Sequence, residues 1–269
     1  MKLLVIGGVA AGTKTAAKFK RENRSAQVTL LSKSEDISYA GCGLPYYVGG
    51  AIEDRGELIV NTPQKFESLT GVEALTCREA VRVDAEKKKV EAKNLRTGET
   101  EIYEYDSLVI AVGASPVVPP VEGVELPGVF QVRTPEDAVS IREYLDTNQV
   151  KKAVVVGGGF IGLEMAENFL ARGVSPTVVE FTPQLMPGVL DPEMAAYVKK
   201  HLQKKGVRVL TGTKAEAVLG QGKAESVRTS GGDLPCGAVI FSVGVRPNTG
   251  FLSDSGIAME RGTILVDEK

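Results

Sequence analysis

Histidine is almost absent from this chain: there is one in 269 residues, His201. A histidine-rich zinc centre or a His-x-x-Glu-His helix needs at least two, so both are excluded, and no metal site is expected. A Ser-His-Asp triad would rest on His201 alone, which follows Val198-Lys199-Lys200 in a helical stretch and reads as a solvated helix residue. Cysteine is nearly as scarce, with only Cys42, Cys77 and Cys236. Three thiols in this length make no disulfide framework, and a cytoplasmic location is expected. A surplus of either charge is missing too: 32 Lys and Arg face 34 Asp and Glu, a net charge of -2. No nucleic-acid or membrane partner is therefore expected. Nor is there an apolar run long enough to span a bilayer. The apolar start Met1 to Ile6 runs into Gly7-Gly8 and reads as a buried strand, not a signal peptide.

What is present is a pattern that occurs twice. Lys2 to Ile6 is aliphatic and β-branched. It is followed by Gly7-Gly8-Val9-Ala10-Ala11-Gly12, a helical stretch from Thr13 to about Asn23, and an apolar strand from Val28 to Leu31. A strand, a glycine turn, a helix and a strand in this order open a Rossmann unit, in which backbone N–H groups at the helix N-terminus face a pyrophosphate. The second copy runs from the strand Ala153 to Val156 through Gly157-Gly158-Gly159-Phe160-Ile161-Gly162, a helix from Leu163 to Arg172, and the strand Pro176 to Val179. It carries all three fingerprint glycines, Gly157, Gly159 and Gly162, whereas Val9 stands at the middle position of the first.

The ends of the second strands differ. Glu180 stands where a carboxylate accepts from adenosine ribose hydroxyls and repels a 2′-phosphate, so this site is expected to take NADH and to disfavour NADPH. The first unit has Ser32, a weaker acceptor, followed by Lys33.

Between the copies, Val81 to Asp84 and Lys88 to Ala92 alternate as strands, and the Lys87-Lys88-Lys89 run reads as a solvated hairpin edge. Ser107 to Val112 is an apolar strand ending in Gly113, and Ala238 to Val243 is a matching one ending in Gly244. Pro119-Pro120 reads as a hinge. The expected architecture is α/β, with two Rossmann-like domains and the second inserted into the first: residues 1–119 with 246–269, and residues 120–245.

Cys42 lies in Ser38-Tyr39-Ala40-Gly41-Cys42-Gly43-Leu44-Pro45-Tyr46, with no Cys-x-x-Cys partner. The usual fate of a lone cysteine is burial as a small hydrophobe. Beside a redox cofactor it would instead form a mixed disulfide, a sulfenic acid or a persulfide, since it has no partner with which to close a ring.

These motifs, with Ala111-Val112-Gly113-Ala114 and Gly244 to Thr249, span almost the whole chain. The chain resembles the FAD-dependent pyridine nucleotide-disulfide oxidoreductases. Within them it is similar to the single-cysteine branch that contains coenzyme A disulfide reductase, NADH oxidase and NADH peroxidase. The resemblance implies that Gly7, Gly8, Ala10, Ala11 and Gly12 bind FAD, with Ser32 and Lys33 at the same site. It implies that Ala111, Gly113 and Gly244 pass near cofactor, that Val81 meets the adenine through its backbone, and that Arg133 is near cofactor. Gly157, Gly159, Ile161, Gly162 and Glu180 are implied to bind NADH, with Phe160 as an aromatic gate over the flavin and Glu164 as the acid near the nicotinamide. Cys42 is implied to be the catalytic thiol, with Lys18, Arg21 and Tyr39 on the substrate side; Lys18 and Arg21 would grip coenzyme A phosphates.

Three departures from the family pattern matter. Ser32 replaces a ribose-binding Glu. Ala10 replaces the histidine by which the oxidases and peroxidases handle peroxide, which turns the reading toward disulfides. After Val266-Asp267-Glu268-Lys269 the family continues with a second FAD-binding stretch and a dimerisation domain, so a truncated form of a longer homodimer is expected. The implied function is electron transfer from NADH through FAD to Cys42, which reduces coenzyme A disulfide, a persulfide or a polysulfide. The alternatives are an NADH oxidase or peroxidase working through a sulfenic acid, and a cofactor-binding fragment without turnover.

Overall fold

In the computed structural model, Leu3 to Ile6 are buried, as a strand with parallel partners on both sides requires. The structure describes residues 1–267. Glu268 and Lys269, the end of the expected segment 246–269, lie outside the described residues.

The chain divides into two compact units. The first comprises Met1–Ala40, Ile59–Ser115 and the chain from Arg246 onward. Its parallel sheet has the order Glu73–Leu75, Gln27–Leu31, Lys2–Ile6, Ser107–Ile110. The helices Ala10–Glu22 and Pro63–Thr70 belong to the same unit; Ala16 and Phe66 join Leu3, Val5, Val28 and Leu30 in one apolar cluster. A second cluster joins Leu4, Ile6 and Leu31 to Val83, Val90 and Ala92 of a three-stranded antiparallel sheet, Arg78–Asp84, Lys89–Asn94 and Thr100–Glu104.

The second unit comprises Gly41–Leu58 and Pro116–Val245. Its five-stranded parallel sheet has the order Arg208–Leu210, Ser175–Val179, Lys152–Val156, Ala238–Phe241, Val129–Phe130. Val154, Val156, Val179, Val239 and Phe241 pack with Val218, Val227 and Leu234 of the antiparallel sheet Ala215–Leu219, Ser226–Thr229, Gly232–Pro235.

Two expectations need correction. Both fingerprint helices start earlier than expected, at Ala10 and Phe160, because the last residues of each turn already form the first helical turn. The residues Gly41–Leu58, expected within a domain 1–119, belong instead to the second unit. Leu44, Tyr47 and Val48 of the short helix Leu44–Gly49 are buried, and this helix packs on the helices Pro135–Thr147 and Phe160–Ala171. No described helix is long and apolar enough to cross a membrane.

Candidate functional site

Each unit places a glycine turn between its central strand and the following helix, and the glycines are there because side chains do not fit. A Cβ on Gly7, whose φ is +118°, would lie 2.1 Å from the carbonyl oxygen of Ala111; one on Gly12 would lie 1.8 Å from that of Gly7. In the second unit, a Cβ on Gly157 (φ +113°) would lie 2.3 Å from the oxygen of Ser242, and one on Gly162 2.1 Å from that of Gly157. Gly159 is different: a Cβ there would meet nothing within 4 Å. Its lack of a side chain leaves space in front of the turn, as close approach of a pyrophosphate to backbone requires. Val9 takes this place in the first turn and is the residue preceding the helix.

The two helices that leave these turns are uncapped. The helices Pro63–Thr70, Pro135–Thr147 and Pro192–Lys205 start with side-chain caps from Thr62, Thr134 and Asp191. Those at Ala10 and Phe160 have no side-chain cap and no acid in the first turn. Their first N–H groups and the positive end of the helix dipole remain available to an anion. A dinucleotide therefore fits both turns.

Behind each turn the strand-end residue packs on the second residue of the turn. A Cβ on Gly8 would be 2.7 Å from the Ser32 Cβ, and one on Gly158 would be 3.2 Å from the Glu180 Cβ. Ser32 and Glu180 are both buried. Glu180 Oε2 accepts from the Gly158 N–H at 2.7 Å, while Oε1 accepts from the Thr182 N–H and hydroxyl, each at 2.8 Å. These bonds occupy three of the carboxylate's roughly four acceptor positions and fix its orientation. Thr182 was not singled out in the sequence, although a threonine two residues after an acid is a recognisable turn motif. Lys33 turns outward and pairs with Glu79 at 2.8 Å.

The remaining expected residues of the first unit are distributed as follows. Ala111 lies against Gly7, and the run to Gly113 (φ +62°) is held by Asn248, whose backbone N–H donates to Gly113 O at 3.0 Å and whose Nδ2 donates to Val112 O at 3.1 Å. Asn248 is a second residue the sequence reading did not pick out. Val81 sits at the irregularity between Ala80 and Arg82 in the antiparallel ladder, where an extra residue leaves the regular pairing. Tyr39 forms an antiparallel bridge with Ile59. Ala10 and Ala11 are exposed on the first turn of the helix.

A cleft of about 340 Å³ is lined by Ala17, Lys20, Arg21, Arg24, Leu69 and Thr70. Arg21 lines it as a basic residue. Lys18 does not: it pairs with Glu22 at 2.7 Å on the exposed side of the helix. The helical period puts residues 17, 20, 21 and 24 on one face and turns residue 18 away. Lys20 is tethered to the carbonyls of Arg24 and Ala26.

In the second unit, Phe160 and Ile161 are exposed at the start of their helix; Phe160 and Glu164 are one turn apart on the same side. Phe181, directly after Glu180, is 71% exposed. Gly244 has φ +122° and accepts from the Val117 N–H at 2.9 Å. Arg133 belongs to this unit and its N–H donates to Asp137 at 3.0 Å, next to the capped helix start.

Cys42 is exposed in the short turn Gly41–Gly43 before the helix Leu44–Gly49, so burial as a small hydrophobe is not its role. That role falls to Cys236, which is buried in the core of the second unit, where burial pushes its thiol pKa up to about 12. Cys77 is half-buried. All three thiols are free, and no group of three or more His, Cys, Asp and Glu among the described residues could hold a metal ion.

The Pyridine nucleotide-disulphide oxidoreductase family matches residues 1–269, and the chain belongs to it. It is 38% identical to an NADH oxidase of Methanocaldococcus jannaschii and 35% identical to a CoA-dependent NAD(P)H sulfur oxidoreductase of Pyrococcus furiosus, in each case over 100% of this chain and 60% of the relative. Among solved structures, an NAD-dependent persulfide reductase from A. fulgidus superposes with a TM-score of 0.95 at 36% identity, covering 99% of this chain and 50% of that one. The chain thus spans about 60% of the length of these curated relatives.

Proposed function

We propose that the protein to which this chain belongs is a flavin-dependent reductase that carries electrons from NADH to a disulfide or sulfane-sulfur substrate, with Cys42 as its single redox thiol. The observation that carries this reading is the exposed, unpaired Cys42 in a chain with two uncapped dinucleotide turns. The first turn, Gly7 to Gly12, would hold FAD. The second, Gly157 to Gly162, would hold NADH, with Glu180 accepting from the ribose and Phe160 and Glu164 at the nicotinamide end. FAD, when bound, supplies the two-electron relay between nicotinamide and thiol.

Cys42 acts as nucleophile. Its thiolate attacks one sulfur of the substrate disulfide, forming a Cys42–S–S–R bond and releasing the other half as a thiolate. Two electrons and a proton then return Cys42 to the thiolate and release the second half as a thiol. Within the first unit, the cleft residues Arg21 and Arg24 would complement phosphates such as those of coenzyme A. The same reading assigns the free thiols to a reducing cytoplasm.

The relative named NADH oxidase supports a second reading, in which Cys42 cycles through a sulfenic acid and the oxidant is oxygen or peroxide. Ala10 places no proton donor on the first turn, which favours sulfur over oxygen.

The test is Cys42→Ser in the full-length protein. NADH should still bleach the flavin at the wild-type rate, while coenzyme A disulfide turnover falls by about a thousandfold or more, as expected when the only nucleophile is removed. Undiminished disulfide turnover would refute the role of Cys42. Rapid oxygen or peroxide consumption by wild type without response to the disulfide would favour the second reading.

A further inference from the structure

We infer that Arg142, backed by Arg172, is a positioning residue for Cys42: the two guanidinium groups seat the cysteine-bearing segment Gly41–Leu58 on the second unit by its backbone carbonyls. The inference rests on the reading of Cys42 as the redox thiol.

The helix Leu44–Gly49 has six residues and cannot be stable by itself. Its start carries no side-chain cap. Its end leaves carbonyls without helical partners. Gly50, at φ +89°, turns the chain back, and the N–H groups of Ala51 and Ile52 both return to Tyr46 O. Tyr47 O accepts from the Gly50 N–H at 3.2 Å as well as from Arg142, and Val48 O is left to Arg172. Arg142 Nη1 lies 3.4 Å from Tyr47 O, 3.2 Å from Ile52 O and 3.0 Å from Glu53 O, and its guanidinium carbon is 4.6 Å from the centre of the Tyr47 ring. Arg172 Nη1 donates to Val48 O at 3.2 Å, and its Nη2 is held by the Asp146 carboxylate. Two cations at this end also suit the negative pole of the helix.

The seat is close-fitting. A Cβ on Gly49 would lie 2.2 Å from Asn168 Oδ1, and buried Asn168 is itself fixed by a bond from Nδ2 to Glu164 O at 2.8 Å. Arg55, further along the segment, pairs with Glu136 at 2.6 Å. Arg142 forms no salt bridge among the described residues: every hydrogen bond found for its side chain goes to a neutral carbonyl of the cysteine segment. Such a cation serves to hold that segment. Cys42 stands directly before the helix so held, so the thiol is located through little more than one helical turn of chain.

The test uses the full-length flavoprotein with Arg142→Met and Arg142→Lys, and Cys42→Ser as the control. Three quantities are read: amide hydrogen exchange by mass spectrometry, turnover with coenzyme A disulfide, and NADH turnover with ferricyanide, which takes electrons from the flavin without the thiol. In Arg142→Met, exchange at residues 50–53 should rise about tenfold while the helices Pro135–Thr147 and Phe160–Ala171 stay protected. Disulfide turnover should fall about tenfold or more, because a nucleophile misplaced by about 1 Å loses that much, and ferricyanide turnover should stay within about twofold. Arg142→Lys, which keeps a donor for the same carbonyls, should recover most of the loss. Wild-type exchange and turnover in Arg142→Met would overturn the inference. So would equal loss of both activities with exchange raised throughout the second unit, the mark of a general folding role. Retained disulfide turnover in Cys42→Ser would overturn the functional reading instead, and the exchange result would still decide whether Arg142 seats the segment.

Discussion

The turns Gly7 to Gly12 and Gly157 to Gly162 share one packing framework, yet differ at the residue before the helix and at the strand end packed behind the turn. In both, the first glycine packs on the carbonyl of a parallel neighbour strand, Ala111 or Ser242. In both, the residue six beyond the strand end takes positive φ, 52° at Ser38 and 50° at Met186. Each donates its N–H to the second glycine's carbonyl, at 2.7 and 2.9 Å. Ile37 and Leu185, just before them, fill the space beside Gly8 and Gly158. The framework is thus common, and the differences are Val9, Ala10 and Ala11 against Gly159, Phe160 and Ile161 within the turn, and Ser32 against Glu180 behind it. On the proposed function, one frame would serve two cofactors by changing how close a phosphate can come and whether a carboxylate meets the ribose. Only the second turn has an acid behind it, Glu180, which in the proposed function would disfavour a 2′-phosphate.

That comparison is most sharply tested by a pair of alanines in the second turn. Gly162→Ala drives a Cβ to 2.1 Å from Gly157 O, so the turn must open. NADH binding should fall about a hundredfold and thermal stability should drop by several degrees. Gly159→Ala meets no protein atom within 4 Å. It should leave the melting temperature unchanged but still weaken NADH binding about tenfold, because the new methyl occupies the pyrophosphate's space. Equal effects of the two on stability would break the distinction between a packing glycine and a ligand glycine. A smaller effect is expected at the strand end. Glu180→Gln removes the charge and turns one amide toward a donor it cannot accept from. The KM for NADH should rise about tenfold while that for NADPH changes less, so the preference narrows. An unchanged NADH-to-NADPH ratio would show that Glu180 acts only within the turn.

How far these features can be read from residues alone depends on how local their causes are. The strand Lys2–Ile6 is legible because a β-branched run entering a glycine turn has few other structures open to it. The positions of Ser32 and Glu180 follow from the length of the strand-helix-strand unit. The internal bonding of Glu180 does not, because it depends on Thr182 and on the Gly158 N–H being brought together by the turn. Lys18 and Arg21 are one helical turn apart, yet only Arg21 reaches the basic cleft. The rotation of that helix against Pro63–Thr70 is set by tertiary packing. The seating of the cysteine segment is least legible of all, since its partners Arg142 and Arg172 lie far along the chain from Cys42.

The most direct measurement of the central claim is the mass of each cysteine peptide in native full-length protein mixed with coenzyme A disulfide and quenched before and after NADH is added. Cys42 should carry a coenzyme A mixed disulfide that disappears on adding NADH. Cys236 should stay unmodified, because burial keeps its pKa near 12 and its thiol protonated at neutral pH. A coenzyme A adduct on Cys77 with none on Cys42, or turnover with no cysteine adduct at all, would contradict the account.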